Sequence, residues 1–212
     1  MTDDHEARHA DWELQMRNTM LERRIVTMRG TLDGALAGRI AMELMTLDAS
    51  GDDLVTLYVD SSGGTLEAAF TVIDVIDLLG VPIHSVCIGR AEGPAAAVVA
   101  ACDRRKVAPH ATFRLCEPIS EASGHASDMK RFAEQQKDQL EKFVSLLNEI
   151  TTRPIEHIEA DVVAGRYLSA EEAVEYGLVD EVWAPKKRQV DPENRPPFGF
   201  RPPDKPHLRA YE

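Results

Sequence analysis

The residues best suited to chemistry in this chain sit in and just after two glycine-bearing turns. Asp60-Ser61-Ser62-Gly63-Gly64 follows the apolar run 54–59, and Gly89-Arg90-Ala91-Glu92-Gly93-Pro94 follows the apolar run 83–88. Backbone N–H groups at Gly63 and Gly64 could stabilise the oxyanion of an acyl transfer. The same glycines would equally serve a tight strand-to-helix turn with no chemistry attached. Cys116 is a nucleophile type, yet it reads as a buried, inert thiol. His110 precedes its strand, His84 lies in an apolar run and reads as a packed histidine, and Ser120 and His125 follow in a polar loop and read as solvated. Neither turn matches G-x-x-x-x-G-K-[ST] or G-x-G-x-x-G, so ATP and NAD binding are unsupported and no cofactor is expected.

The elements that must hold these turns follow from periodicity. Residues 25–28 read as a short strand, and 33–47 as a helix with Leu36, Ile40, Leu44 and Leu47 on one side. Residues 54–59 form a buried strand, and helix 66–79 ends at Gly80. Strand 83–88 then leads through its turn into a small-residue helix, 95–102. After strand 112–115 comes a long amphipathic helix, 127–151, with Phe132, Leu140, Phe143, Leu147 and Ile150 along one side. Helix 169–176 ends at Gly177, and 178–182 is a terminal strand. Strands alternating with helices predict an α/β fold with a parallel sheet and crossover helices, its ligand crevice at the C-terminal ends of adjacent strands.

The 212 residues carry 36 Asp and Glu against 24 Lys and Arg, a formal charge of −12. Nonspecific nucleic-acid binding, which needs a basic face, is disfavoured. No apolar run approaches the ~20 residues of a membrane span, and the acidic start, Thr2-Asp3-Asp4-His5-Glu6, is unlike a signal peptide, so a cytoplasmic protein is expected. Cys87, Cys102 and Cys116 offer neither a disulfide framework nor a metal knuckle. Three segments are expected: a polar stretch 1–20, in which Trp12, Leu14, Met16 and Met20 could order against a partner; one domain over 21–185; and a tail 186–212. Six of the twelve prolines fall in that tail, which reads as extended or disordered.

Three blocks carry a family resemblance. Leu57-Tyr58-Val59-Asp60-Ser61-Ser62-Gly63-Gly64, Gly89-Arg90-Ala91-Glu92-Gly93-Pro94-Ala95-Ala96 and the run from Tyr167-Leu168-Ser169 to Leu178-Val179-Asp180 resemble, in order, the signature blocks of the ClpP family, the proteolytic subunits of ATP-dependent Clp proteases. The resemblance implies a curved parallel sheet wrapped by helices, with helix 127–151 as the handle that pairs two rings. The family's serine nucleophile lies in G-x-A-x-S-M-G-A, where this chain has Gly93. Its histidine lies two residues before a proline, in roughly R-V-M-I-H-Q-P, where this chain has Cys116. Its aspartate precedes R-[FY]-L-S-A, where this chain has Gly165. One oxyanion donor is retained as Gly64, and the other falls on Pro94, which has no N–H.

The resemblance therefore implies a ClpR-type, proteolytically inactive subunit. Its partners would be itself or an active paralogue in a seven-membered ring, two such rings stacked, and a Clp ATPase. A weaker resemblance, over Ala100 to Phe113, is to crotonases. It implies a coenzyme A thioester enzyme with Glu117 as acid/base and Gly64 as donor, although the partner glutamate position is Ala97. The two readings differ in the crevice. A vestigial site leaves the 89–97 turn free to close over it, whereas an enzyme needs it open with Gly64 and Glu117 converging.

Overall fold

Apolar β-rich runs broken by glycine turns order the computed structural model, which describes residues 3–120 and 123–183. The expected tail, 186–212, lies outside the described residues. The elements are α1 (Asp3–Glu22), β1 (Ile25–Leu32), α2 (Gly34–Ala49), β2 (Val55–Gly64), α3 (Leu66–Leu78), β3 (Ile83–Glu92), α4 (Pro94–Ala100), β4 (Arg104–Val107), β5 (Thr112–Arg114), α5 (Ala126–Thr151), α6 (Ile155–Ala164), β6 (Tyr167–Leu168), α7 (Ala170–Tyr176) and β7 (Glu181–Val182). The sheet runs β1-β2-β3-β4-β7 with every neighbour parallel, and β5 joins β3 while β6 closes on β5 antiparallel. This is the α/β architecture expected for the ClpP-type fold.

Alternation along β2 buries Val55, Leu57 and Val59 in one core with Leu36, Ile40 and Leu44 of α2 and Val72 and Ile76 of α3. Its other face stays half open, where Tyr58 stacks on Trp183 at 6.5 Å. Helix starts are capped by side-chain acceptors: Asp33 for Leu36 N–H, Thr65 for Ala68 N–H, and a Ser169/Glu172 capping box for α7. Buried Tyr176 joins the C-terminal helices, its hydroxyl donating to Asp161 of α6 at 2.9 Å while Arg153 lies over its ring at 4.1 Å. Helix α5 buries Phe143, Val144 and Leu147 in its second half, and its first half, as far as Leu140, has no fully buried side chain.

Several elements differ from the periodicity reading. β2 and β3 continue through their glycine turns to Gly64 and Glu92, because ladder pairs such as Leu32↔Gly64 and Glu92↔Arg114 persist past the apolar runs. β4 has no apolar alternation to reveal it, and its Arg104, Arg105 and Lys106 are matched by Asp180 and Glu181 beside β7. α6 carries a helical stripe of Ile155, Ile158 and Val162 that went unread between Thr152-Arg153-Pro154 and Gly165. The boundary at residue 20 falls inside α1, whose Arg17 pairs with Glu43 of α2, a carboxylate only 5 % exposed that also holds Arg39 at 3.3 Å. A buried acid held by two arginines ties this helix to the domain although its apolar residues Trp12, Leu14 and Met16 remain exposed.

The edge pairing generates a pH test. Burial opposes ionisation of Asp180, but hydrogen bonds from the Arg105 N–H (2.7 Å) and Nε (3.1 Å) outweigh it and hold the carboxyl below the usual range. A depressed folded pKa stabilises above the unfolded value of ~3.9 and loses that contribution as pH falls through the folded one. Asp180→Asn is expected to cost roughly 0.5–1 kcal/mol at neutral pH, the scale of partly exposed pairs. In thermal melts the gap between the two proteins narrows below about pH 4; a pH-independent gap would contradict the assignment.

Candidate functional site

The site is built on the short strand β5. On one side β3 pairs with it through Arg90↔Thr112, Ala91↔Phe113 and Glu92↔Arg114. On the other, β6 pairs through Phe113↔Leu168 and Arg114↔Tyr167. Beyond these pairs Gly93 N–H donates to the Arg114 carbonyl at 2.7 Å, and Leu115 N–H to the Arg166 carbonyl at 2.8 Å. The two ladders thus bring Gly93, Cys116 and Gly165 together at the C-terminal end of β5. A Cβ on Gly93 would lie 3.2 Å from Cys116 Sγ.

Gly93 turns the chain from β3 into α4 with φ 47° and ψ −119°, a conformation that L side chains rarely adopt, and Pro94 follows at the first helical position. Beside this turn is a crevice of about 310 Å³, and its lining includes Gly63, Gly64, Pro94, Cys116, Glu117 and Gly165. The 89–97 turn, free to close over a vestigial site, leaves the crevice open. The Gly93–Arg114 hydrogen bond and the buried α4 hold the turn at the sheet end.

Steric need accounts for both glycines of the first turn. A Cβ on Gly64 would stand 1.9 Å from the Leu32 carbonyl oxygen, and one on Gly63, where φ is 82°, would stand 2.8 Å from that of Glu92. The Gly64 carbonyl accepts from Ile119 N–H at 3.2 Å, which ties the end of β2 to the segment after Cys116.

The charges in the crevice are arranged against nucleophilic chemistry. Burial pushes the half-buried Cys116 thiol up; Arg114 partly offsets this, and Glu92 and Glu117 add to it. The group therefore stays protonated where a thiolate would be needed. Cys87 and Cys102 are buried in the core, and burial pushes both up to about 12. Glu92, 15 % exposed, lies 3.6 Å from Arg114 and 3.5 Å from Arg90, and Arg114 lies over the Tyr167 ring at 5.0 Å. Glu92 and Arg114 escaped the sequence reading; the available signal was a charge set inside each of two small-residue or apolar blocks, Ala91-Glu92-Gly93 and Phe113-Arg114-Leu115.

Other candidates stand apart. His84 is half-buried in β3, in register with Thr56 and Arg104, and His110 and His125 are exposed. Ser120 donates to Gln136 of α5 at 2.7 Å, and that amide donates to Glu67 of α3 at 2.8 Å. Glu117 is exposed at the crevice rim, and Ala97 is buried within α4. Among the described residues, no group of three or more His, Cys, Asp or Glu converges as a metal ion requires, and no helix is long and apolar enough to cross a membrane.

A family model for Clp protease matches residues 8–186, from within α1 to beyond β7. The chain belongs to the Clp protease family.

The close approach at Gly64 is directly testable. Gly64→Ala drives a methyl into a backbone carbonyl that cannot rotate away, and is expected to cost roughly 3 kcal/mol or more. Gly80→Ala, whose Cβ meets only Asp48 Oδ1 at 3.7 Å, serves as the control and should stay within about 0.5 kcal/mol. Urea titration of both variants measures the difference, and equal midpoints would refute the steric argument.

Proposed function

We propose that this chain is a ClpR-type subunit of a Clp-type protease ring that does not itself cleave peptides and serves a structural or regulatory role. The observation that carries the reading is that Pro94, Cys116 and Gly165 line one crevice and Gly93 packs against Cys116. Serine-protease chemistry needs a hydroxyl, an imidazole to take its proton, and a carboxylate to orient that imidazole. At the positions that the family resemblance assigns to these roles stand no side chain, a protonated thiol and no side chain. The missing N–H of Pro94 removes one oxyanion donor, a loss that elsewhere costs about 10²–10³ in turnover. Cys116 offers no substitute, since none of the three histidines His84, His110 and His125 is in the crevice lining.

Assembly is the role left to the parts retained. The exposed first half of α5 suits the handle between two stacked rings, and exposed Ile88 and Trp183 suit contacts with neighbouring subunits. The partners proposed are copies of this chain or an active paralogue in a seven-membered ring, with a Clp ATPase docked on it. The crotonase reading is weaker because exposed Glu117 has no second free carboxylate opposite it: Glu92, the other on the crevice wall, is held between Arg90 and Arg114.

The purified protein is expected to leave casein and short fluorogenic peptides intact and to resist serine-directed fluorophosphonates. Stoichiometric labelling of any serine would sink the proposal. Gly93→Ser alone should restore nothing, because base, orienter and one oxyanion donor are still lacking and the new Cβ meets the Cys116 carbonyl oxygen at 3.1 Å. Light scattering should find a ring, alone or with the paralogue; a monomer in both cases would contradict the assembly role. Tight calorimetric binding of an acyl-coenzyme A would favour the crotonase reading instead.

A further inference from the structure

We propose that α5 pairs antiparallel with the same helix of a second copy of this chain, about a two-fold axis that crosses it between residues 135 and 136. The observation is a stripe of charge. Lys130, Glu134, Lys137 and Glu141 follow one another at spacings of four, three and four, which places them on one face of the helix. Their side chains are 80 %, 65 %, 76 % and 64 % exposed, and the pairs Lys130–Glu134 and Lys137–Glu141 each stand 3.8 Å apart, beyond hydrogen-bond length. All four charges can therefore take a partner from outside. The order Lys-Glu-Lys-Glu is its own complement only when reversed. About the stated axis Lys130 meets Glu141 of the second copy and Glu134 meets Lys137, each pair occurring twice. Asp128, Arg131, Asp138 and Lys142 fall opposite Phe143, Leu140, Ala133 and Met129, so no like charges meet between residues 128 and 143. Parallel pairing in register would set like on like at all four positions, and an antiparallel slide of one helical turn either way also puts like charges opposite one another.

Apolar surface adjoins the stripe. A groove of about 270 Å³ between α5 and α6 is lined by Leu140, Val144, Val162 and Val163, with Lys137 and Glu141 also on its wall. Val163 is 75 % exposed. Covering this groove supplies the area of the contact, and the stripe supplies its register, because matched surface charges select a partner more than they hold it. A two-fold contact requires a patch that complements itself, and this charge order does so in one register. The inference rests on the assembly role proposed above for α5, and it names a like subunit, not an active paralogue, as the partner across that helix.

Charge exchange in the full chain tests it, read by sedimentation equilibrium. Lys130→Glu with Lys137→Glu makes the stripe wholly acidic, and Glu134→Lys with Glu141→Lys makes it wholly basic. Each variant alone sets like charges at every contact and should associate across the two-fold at least about tenfold more weakly, with an assembly mass half that of the unaltered chain. An equimolar mixture of the two should regain the full mass. Association of the unaltered chain should weaken as salt rises from about 0.05 M to about 0.5 M. Carbodiimide coupling of isotope-labelled with unlabelled chain should join Lys130 of one copy to Glu141 of the other; this uses the unaltered protein and decides the matter even where a variant does not fold. Full mass in either variant alone, or no coupling between copies at these residues, would overturn the proposal. Assembly across α5 with a paralogue only would overturn it as well and leave the ring reading standing, whereas the predicted coupling without a seven-membered ring would do the reverse.

Discussion

The parallel pairing of β5 with the second half of β3 is the contact on which the crevice depends. β3 gives its first half to β4, through His84↔Arg104 to Cys87↔Val107, and its second half to β5, through Arg90↔Thr112 to Glu92↔Arg114. The far edge of the sheet therefore changes partner between Cys87 and Arg90, at Ile88-Gly89. Because β6 then closes on β5, residues from three distant stretches of chain are fixed to one another by backbone hydrogen bonds alone. No side chain at Gly93 or Gly165 takes part, and both residues hold a positive φ, 47° and 65°, that favours glycine.

Backbone contacts shape both turns. Gly63 and Gly64 are required because backbone carbonyls of Glu92 and Leu32 approach them closely, and the first turn keeps its shape for steric reasons. The second turn is held by the Gly93 N–H on the Arg114 carbonyl. Here a charged pair, Glu92 and Arg114, lies against the same crevice, where partial burial strengthens short-range electrostatics.

Away from the crevice, polar side chains join helices that apolar packing alone would leave loosely oriented. Tyr176 accepts the Arg153 cation on its face and donates its hydroxyl to Asp161, and Gly177 lets the end of α7 approach the Thr151 backbone at the end of α5. Gln136 bridges Ser120 and Glu67, which ties α5 to α3 and to the segment after β5. Glu43 does the same for α1. These joints leave the C-terminal half of α1 and the first half of α5 largely exposed.

Local patterning alone determined most of the elements: the helices at 34–49, 66–78 and 126–151 and the central strands are written in the spacing of their apolar residues, and the end of α7 in Gly177, whereas α3 stops at an extended Leu79 and not on a left-handed Gly80. Motif order alone pointed to the family and to the glycines where its nucleophile and orienter would stand. Elements without an apolar period escaped: β4 is three basic residues and a valine, held by its ladder to β3 and by Asp180 and Glu181 from more than seventy residues later. The crevice itself was decided by tertiary structure, since Gly93, Cys116 and Gly165 become neighbours only through the two ladders of β5. So was the packing of Arg114 against Gly165, across more than fifty residues of chain, a distance no local periodicity can encode.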